Sequence, residues 1–164
     1  MKNIFLIIIL FASHNIILSQ DNQNNIFLDR EFWKSKPTIE LVKAKINEGN
    51  DPAEQDDFGF DAVSYAIIDN SSVETIKFLL TLDGNPITKK THGNITYLLW
   101  SAYKGNVPLI KYLIELGSDI EFTTARGTNI LLMSGFGGQQ DTLLYDYFLS
   151  KGVNINSNNS TKMN

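Results

Sequence analysis

From residue 38 onward the apolar positions fall into stripes at three- and four-residue steps, each closed by a glycine and a short polar stretch. The stripes occupy 42–46 before Gly49, 76–82 before Gly84, 109–116 before Gly117 and 143–149 before Gly152. Residues at such steps lie on one side of an α-helix, so each stripe predicts a helix with a single buried face. The third stripe is the most explicit. Pro108 fits a first helical turn, where a missing N–H leaves no bond unmade. Leu109, Ile110, Leu113, Ile114 and Leu116 then share a side, while Lys111 and Glu115 point elsewhere. Gly117 suits the left-handed residue that ends a helix. A shorter helix is predicted just before, over 97–103, closed by Gly105. The unit therefore reads helix, tight turn, helix, extended loop.

The unit recurs. Gly49, Gly84, Gly117 and Gly152 are separated by 35, 33 and 35 residues, and Gly59, Gly93 and Gly127 by 34 and 34. Two interleaved series at one period mark a repeat architecture. The pattern resembles the ankyrin repeat: Gly105-Asn106 stands for the family's G-H, Ile110, Leu113 and Ile114 for V-x-x-L-L, and Gly117-Ser118-Asp119-Ile120-Glu121 for G-A-x-x-N. The last unit closes with Gly152-Val153-Asn154-Ile155-Asn156, and its Gly127 and Gly138 are eleven apart, as in the family. The family's T-P-L-H appears as Asp61-Ala62-Val63-Ser64, Thr96-Tyr97-Leu98-Leu99 and Asn129-Ile130-Leu131-Leu132, without the Pro or the His. The absent Thr–His hydrogen bonds remove one source of loop rigidity and leave the architecture intact. The resemblance implies an all-α solenoid of stacked helix-turn-helix units with hairpin-like loops. Its repeat domain is expected over 27–156, as an N-terminal capping helix pair at 27–52 and repeats at about 56–88, 90–122 and 124–156. Within the capping pair, 27–33 reads as one short helix, with Phe27, Leu28, Phe32 and Trp33 apolar, and Thr38 reads as the cap of the next.

The ends read differently. Met1, Lys2 and Asn3 precede an unbroken apolar run over 4–11. That run is shorter than the roughly 20 apolar residues a spanning helix needs, so 1–19 is read as a signal peptide cut after Ser19. The rival reading is an uncleaved anchor extended through 16–18. A flexible polar segment, 20–26, follows, and 157–164 forms a polar tail. The expected destination is outside the cytoplasm, periplasmic or secreted, with no membrane association after cleavage.

Composition narrows the function. The net charge is −4, and Arg30 and Arg126 are the only arginines, a poor basis for binding nucleic acid. Without cysteine there is no disulfide, thiolate metal site or cysteine nucleophile, and two histidines, His14 and His92, do not make a three-histidine metal site. Gly135-Phe136-Gly137-Gly138 looks like a phosphate cradle but lacks the preceding strand and the Lys of a P-loop, and it coincides with an interhelical turn. Asp56, Asp57 and Asp61 miss the spacing of a calcium loop, and Asp61 reads instead as a helix cap. No nucleophile or acid is placed beside His92. The chain is therefore read as a non-enzyme that needs no metal or cofactor.

In the resembling family, loop tips and first-helix ends line one concave surface. The positions that fall there are Asp57, Phe58, Asp69, His92, Tyr103, Lys104, Arg126 and Phe136. Aromatic and Arg side chains on such a surface suit protein recognition. Phe60 stands between that role and packing among the loops. The expected function is a protein-interaction scaffold. The alternative is an assembly module that docks on another domain or copy, and a fragment of an enzyme is a distant third. Six of the ten residues 142–151 are apolar or aromatic, more than one buried stripe requires, so self-association through the last repeat is a further expectation.

Overall fold

A computed structural model describes residues 25–154. The signal peptide expected over 1–19 and its expected cut, most of 20–26, Ile155 and Asn156 of the last closing motif, and the tail 157–164 lie outside the described residues. Within them the helices come in four consecutive pairs: α1 (Arg30–Lys34) with α2 (Ile39–Asn47), α3 (Ala62–Ile68) with α4 (Val73–Leu80), α5 (Tyr97–Tyr103) with α6 (Val107–Glu115), and α7 (Ile130–Phe136) with α8 (Thr142–Ser150). Strands β1 (Lys90–Thr91) and β2 (Ile95–Thr96) form an antiparallel hairpin in which Thr91 faces Ile95.

Local chemistry sets these boundaries. The side chains of Thr38, Asp61, Ser72, Thr96, Asn106, Asn129 and Asp141 each accept a backbone N–H from the first turn that follows. Such caps pair donors that a helix start leaves free. Each pair turns through a left-handed residue at the same place: Lys36, Asn70, Gly105 and Gly138, with φ of 54°, 57°, 63° and 71°. After the second helix, Gly117 (φ 94°) donates to Ile114 O while Ser118 N returns to Leu113 O, which pairs carbonyls the helix end would strand.

Burial follows the centres of the predicted stripes, while Leu116, Leu143 and Leu149 at stripe ends stay exposed. Leu79, Leu113 and Phe148, which occupy one position in three successive second helices, are fully buried, as are Ile110 and Leu109. Ile114 is only half-buried and Leu116 is 47% exposed. The stripe expected to run to Leu116 therefore ends at Leu113, because Leu116 caps the helix one step beyond its packed face. Helix α5 packs on α6 and lies between α3 and α7. The contact with α7 is close: a Cβ on Gly137 would lie 1.7 Å from Tyr103 O. Gln139 Nε2 also donates to Tyr103 O at 2.9 Å. Gly137→Ala should therefore push α5 and α7 apart and lower stability by about 1–3 kcal/mol, the usual loss on overpacking. A urea melt reads it directly, and an unchanged midpoint would show that the helices are free to separate.

On the second-helix side, neighbouring pairs are joined by a regular series. Lys43 lies 5.2 Å from the Phe78 ring centre, Lys77 4.5 Å from that of Tyr112, and Lys111 5.4 Å from that of Tyr147. Each lysine reaches forward to a ring in the next unit, an attraction worth about 0.5–1 kcal/mol at exposed sites.

Two expectations are corrected. The segment 27–33 is not one helix. A 3-10 turn (Ile26–Leu28) is followed by α1, because Asp29 stays extended (ψ 115°) and its carboxylate accepts Glu31 N to start a new helix. Phe27 and Trp33 still meet in the core, with Trp33 Nε1 donating to Phe27 O at 2.7 Å. In the middle hairpin, the residue three before the helix, matching Gly59 and Gly127, is Asn94 and not Gly93. Both Gly93 (φ 67°) and Asn94 (φ 61°) are left-handed, and Ile95 N closes the turn on His92 O. Two consecutive left-handed residues are what a type I′ hairpin turn requires.

Candidate functional site

The predicted residues come from two kinds of place: the tips of the three loops that precede α3, α5 and α7, and the ends of those helices. Each tip is built by its own local bonds. In the first, Asp56 Oδ1 accepts both Phe58 N and Phe60 N at 2.9 Å, and Gly59 (φ 83°) completes the turn. This leaves Asp57 exposed and Phe58 72% exposed. The second tip exposes His92. The third closes through Thr124 N to Thr128 O at 2.9 Å and Gly127 N to Thr124 O at 2.8 Å, leaving Arg126 exposed.

The first two tips are tied to each other. His92 Nδ1 lies 2.8 Å from Phe58 O, and since a carbonyl only accepts, the ring donates. Gln55 Nε2 donates to Gly59 O and to Lys90 O, both at 3.1 Å. Phe60 packs rather than projects. Its ring stacks on His92 (4.5 Å, 10°) and on Tyr65 (5.1 Å, 21°), with Trp100 at 5.7 Å. Of the two roles open for Phe60, packing among the loops is the one it fills. Tyr65 in turn donates its hydroxyl to Asp56 Oδ2, and burial, with Asp56 alongside, pushes this phenol above its usual range. Trp100 Nε1 donates to Thr91 Oγ1 at 2.8 Å, which pins the middle hairpin to α5. These bonds replace the rigidity that the absent Thr–His pairs would have supplied.

At the helix ends the placements differ. Phe136 is 66% exposed, while Tyr103 and Lys104 are half-buried, with Tyr103 edge-on to Trp100 at 6.0 Å. Asp69 is already engaged: Arg30 Nη2 and Nε donate to its two oxygens at 2.6 and 3.1 Å, and its side chain is 7% exposed. The 39-residue separation of Arg30 and Asp69 left no local signal for this pair. The glycine-rich segment 135–138 finishes α7 and its turn, with Gly137 as the C-cap and Gly138 left-handed. Asp61 caps α3 as expected, with Ser64 completing the reciprocal pair of bonds.

Sequence reading missed what fills the space between the first two loops. Asp61 is wholly buried. Its Oδ2 accepts from Tyr97 Oη at 2.6 Å and pairs with Lys89 Nζ at 2.9 Å. Lys89 Nζ also donates to Ala53 O at 2.7 Å and Asn85 Oδ1 at 3.2 Å, and Asn85 Nδ2 donates to Leu79 O at 3.2 Å. Burial pushes the Tyr97 phenol far above its usual range and the adjacent Asp61 adds to this, so the hydroxyl stays a donor. A carboxylate where the aligned units carry Thr96 and Asn129 was the available clue.

Chemically, the exposed set offers two aromatic rings, an imidazole, a guanidinium and a carboxylate for contact. Among the described residues, no three His, Asp or Glu side chains converge so as to hold a metal ion, and no helix is long and apolar enough to cross a membrane.

Comparison with known proteins gives a consistent result. A family described as ankyrin repeats (3 copies) matches residues 34–124. The match stops short of α7 and α8, which continue the same arrangement. The chain is 32% identical over 91 residues to a probable palmitoyltransferase AKR2 of Saccharomyces uvarum, covering 55% of this chain and 12% of that protein. It is 40% identical over 50 residues to the Notch-regulated ankyrin repeat-containing protein of Homo sapiens, covering 30% of this chain and 44% of that one. The corresponding protein A of Danio rerio matches equally, over 45% of its length. The chain thus spans less than half the length of these relatives.

Proposed function

Because the chain belongs to the ankyrin-repeat family, whose repeats generally mediate protein–protein interaction, we propose that it is a non-catalytic scaffold binding a protein through its loop tips and first-helix ends. The exposure of Phe58 and Phe136 carries this reading. Both are large aromatics at the edge of an array whose interior aromatics, Phe27, Trp33, Tyr97 and Phe148, are fully buried. Aromatic side chains, Phe among them, and Arg are enriched at the cores of protein interfaces. Asp57, His92, Lys104 and Arg126 supply polar contacts around them, with Tyr103 half-available and Asp69 contributing through its pair with Arg30.

Phe58→Ala combined with Arg126→Ala tests the reading on exposed positions, whereas Tyr103 supports Trp100 and would confound it. The double variant should weaken capture of the protein partner by about tenfold or more. Its melting curve should stay within about 0.5 kcal/mol of the parent, as for other surface changes. Unaltered capture would remove these tips from the interface.

The export reading belongs to the same proposal. A chain secreted through 1–19 would be recovered outside the cytoplasm, beginning at Gln20 on N-terminal sequencing. Recovery of Met1 from the membrane would favour the uncleaved anchor.

One observation favours docking on a further unit or a second copy. Leu98, Leu99 and Ile110 are at most 1% exposed, whereas the aligned Leu131, Leu132 and Tyr145 are half-buried and Leu143 is 73% exposed. Sedimentation of the purified chain at micromolar concentration, with hydrogen exchange across α8, separates a self-associating array from a monomer with that helix protected.

A further inference from the structure

The loops leave a gap between each unit and the next, and two of these gaps are filled differently. Between the first two hairpins the space holds Lys89 and Asn85, bonded to Asp61 and Ala53 as described. One period later the same positions carry Phe122, Ser118, Thr96 and Thr88. Each is five, one, or four residues past its glycine, or at the helix cap, so the alignment requires no insertion. Here the space is an open cavity of about 260 Å³ lined by Ile87, Thr88, Lys90, Thr96, Ser118, Asp119 and Phe122.

Ser118 shows why it is open. Asn50 and Asn85, at the matching place, turn their amides back onto Lys45 O and Leu79 O. Serine is too short to repeat this. Among the described residues its buried Oγ has no hydrogen-bond partner, an arrangement that native interiors rarely leave standing. A truncated side chain thus leaves both a cavity and a hydroxyl that needs a partner. We propose that this cavity is a binding site for a small uncharged aromatic group carrying one hydrogen-bonding function, of the phenol class.

Three observations select that chemistry. The occupant of the filled gap is a four-carbon chain with a polar end, and the open gap has room for a group of similar reach. The buried carboxylate that received the ammonium of Lys89 is replaced by the hydroxyl of Thr96, so a charged occupant would lose hydration without a counter-ion. At the rim Lys90 and Asp119 carry opposite charges and select neither sign, while Ile87 and Phe122 supply apolar walls. Lys90 lies 5.4 Å from the Phe122 ring centre, which holds that wall in place. The volume lies just under the range of about 300–1,000 Å³ of drug-sized ligand pockets, which points to a single ring.

The test uses the full chain, phenol and toluene as probes, and amide chemical shifts as the readout. Phenol should shift the amides of Ile87, Thr88, Ser118 and Phe122 together and saturate in the millimolar range. It should outbind toluene severalfold. Ser118→Ala keeps the cavity and should erase the preference for phenol. Ser118→Asn restores the amide found at Asn85 and should weaken phenol by about tenfold or more. N-acetyl-tyrosinamide distinguishes the sources: displacement of phenol assigns the site to a side chain of a protein partner, and its failure to displace assigns it to a free small molecule. Absence of clustered shifts with phenol, or equal shifts in Ser118→Asn, overturns the proposal. No protein partner enters the experiment, so its failure leaves the reading of the loop tips untouched.

Discussion

Asp61→Ala should lower stability by about 3–5 kcal/mol, the range for removing one member of a buried ion pair. Three losses coincide at this side chain. Its Oδ1 caps α3 by accepting Ser64 N at 2.9 Å, and its Oδ2 receives both the Tyr97 hydroxyl and Lys89. Lys89, whose side chain is 15% exposed, would be left charged with Ala53 O and Asn85 as its remaining partners among the described residues. The uncompensated charge dominates, since the cap alone accounts for about 1 kcal/mol. Urea melts of Asp61→Ala, Asp61→Thr and Lys89→Phe, with the Asp61→Thr/Lys89→Phe double variant, separate the parts. The double variant carries in the first gap what the second gap already has, Thr96 and Phe122. It should therefore be more stable than Asp61→Thr alone. Strictly additive losses would show that the pair is not coupled.

Leu113→Ala should cost about 2–5 kcal/mol, the range for truncating a fully buried leucine. Leu113 is 0% exposed, and the aligned Leu79 and Phe148 are equally buried, so the position faces the core in three successive units. Ile114→Ala should cost less, because its neighbours already leave it half-uncovered. Leu116→Ala, at 47% exposure, should stay within about 0.5 kcal/mol. The ranking matters more than any one value. A loss at Leu113 below roughly 0.5 kcal/mol, far under that range, would mean that the helix register is wrong.

What the sequence disclosed follows from the range of the forces involved. Stripe periodicity, the caps at Thr38 and Asp61, and the closing glycines act over a few residues, and all are visible in the linear order. Glycine spacing placed the middle turn one residue early, because Asn94 adopts the left-handed conformation that glycine usually supplies and a count of glycines passes over it. Asp29 broke the first helix for a similar reason: it is an ordinary residue in a helix and a strong one at its start. Of the candidate surface, the exposure of Phe58, Arg126 and Phe136 was legible, since their tips and helix ends are set locally. The Arg30–Asp69 pair, the stacking of Phe60 on His92 and the filling of the first gap were not. Each joins residues 28 or more positions apart, and only the assembled stack brings them together.

The lysine–aromatic series on the second-helix side has a consequence for how such an array changes length. Excision of residues 78–111, one whole period, would bring Tyr112 into the place of Phe78 under Lys43 and Tyr147 into the place of Tyr112 under Lys77. Every rung would remain paired, so that side is indifferent to the number of units. The loop side is not. The same excision would take Lys89 and Tyr97 from Asp61 and offer Phe122 and Ile130 in their stead. One side of the stack is thus interchangeable, while the other carries an address at the first junction that only its own neighbour answers.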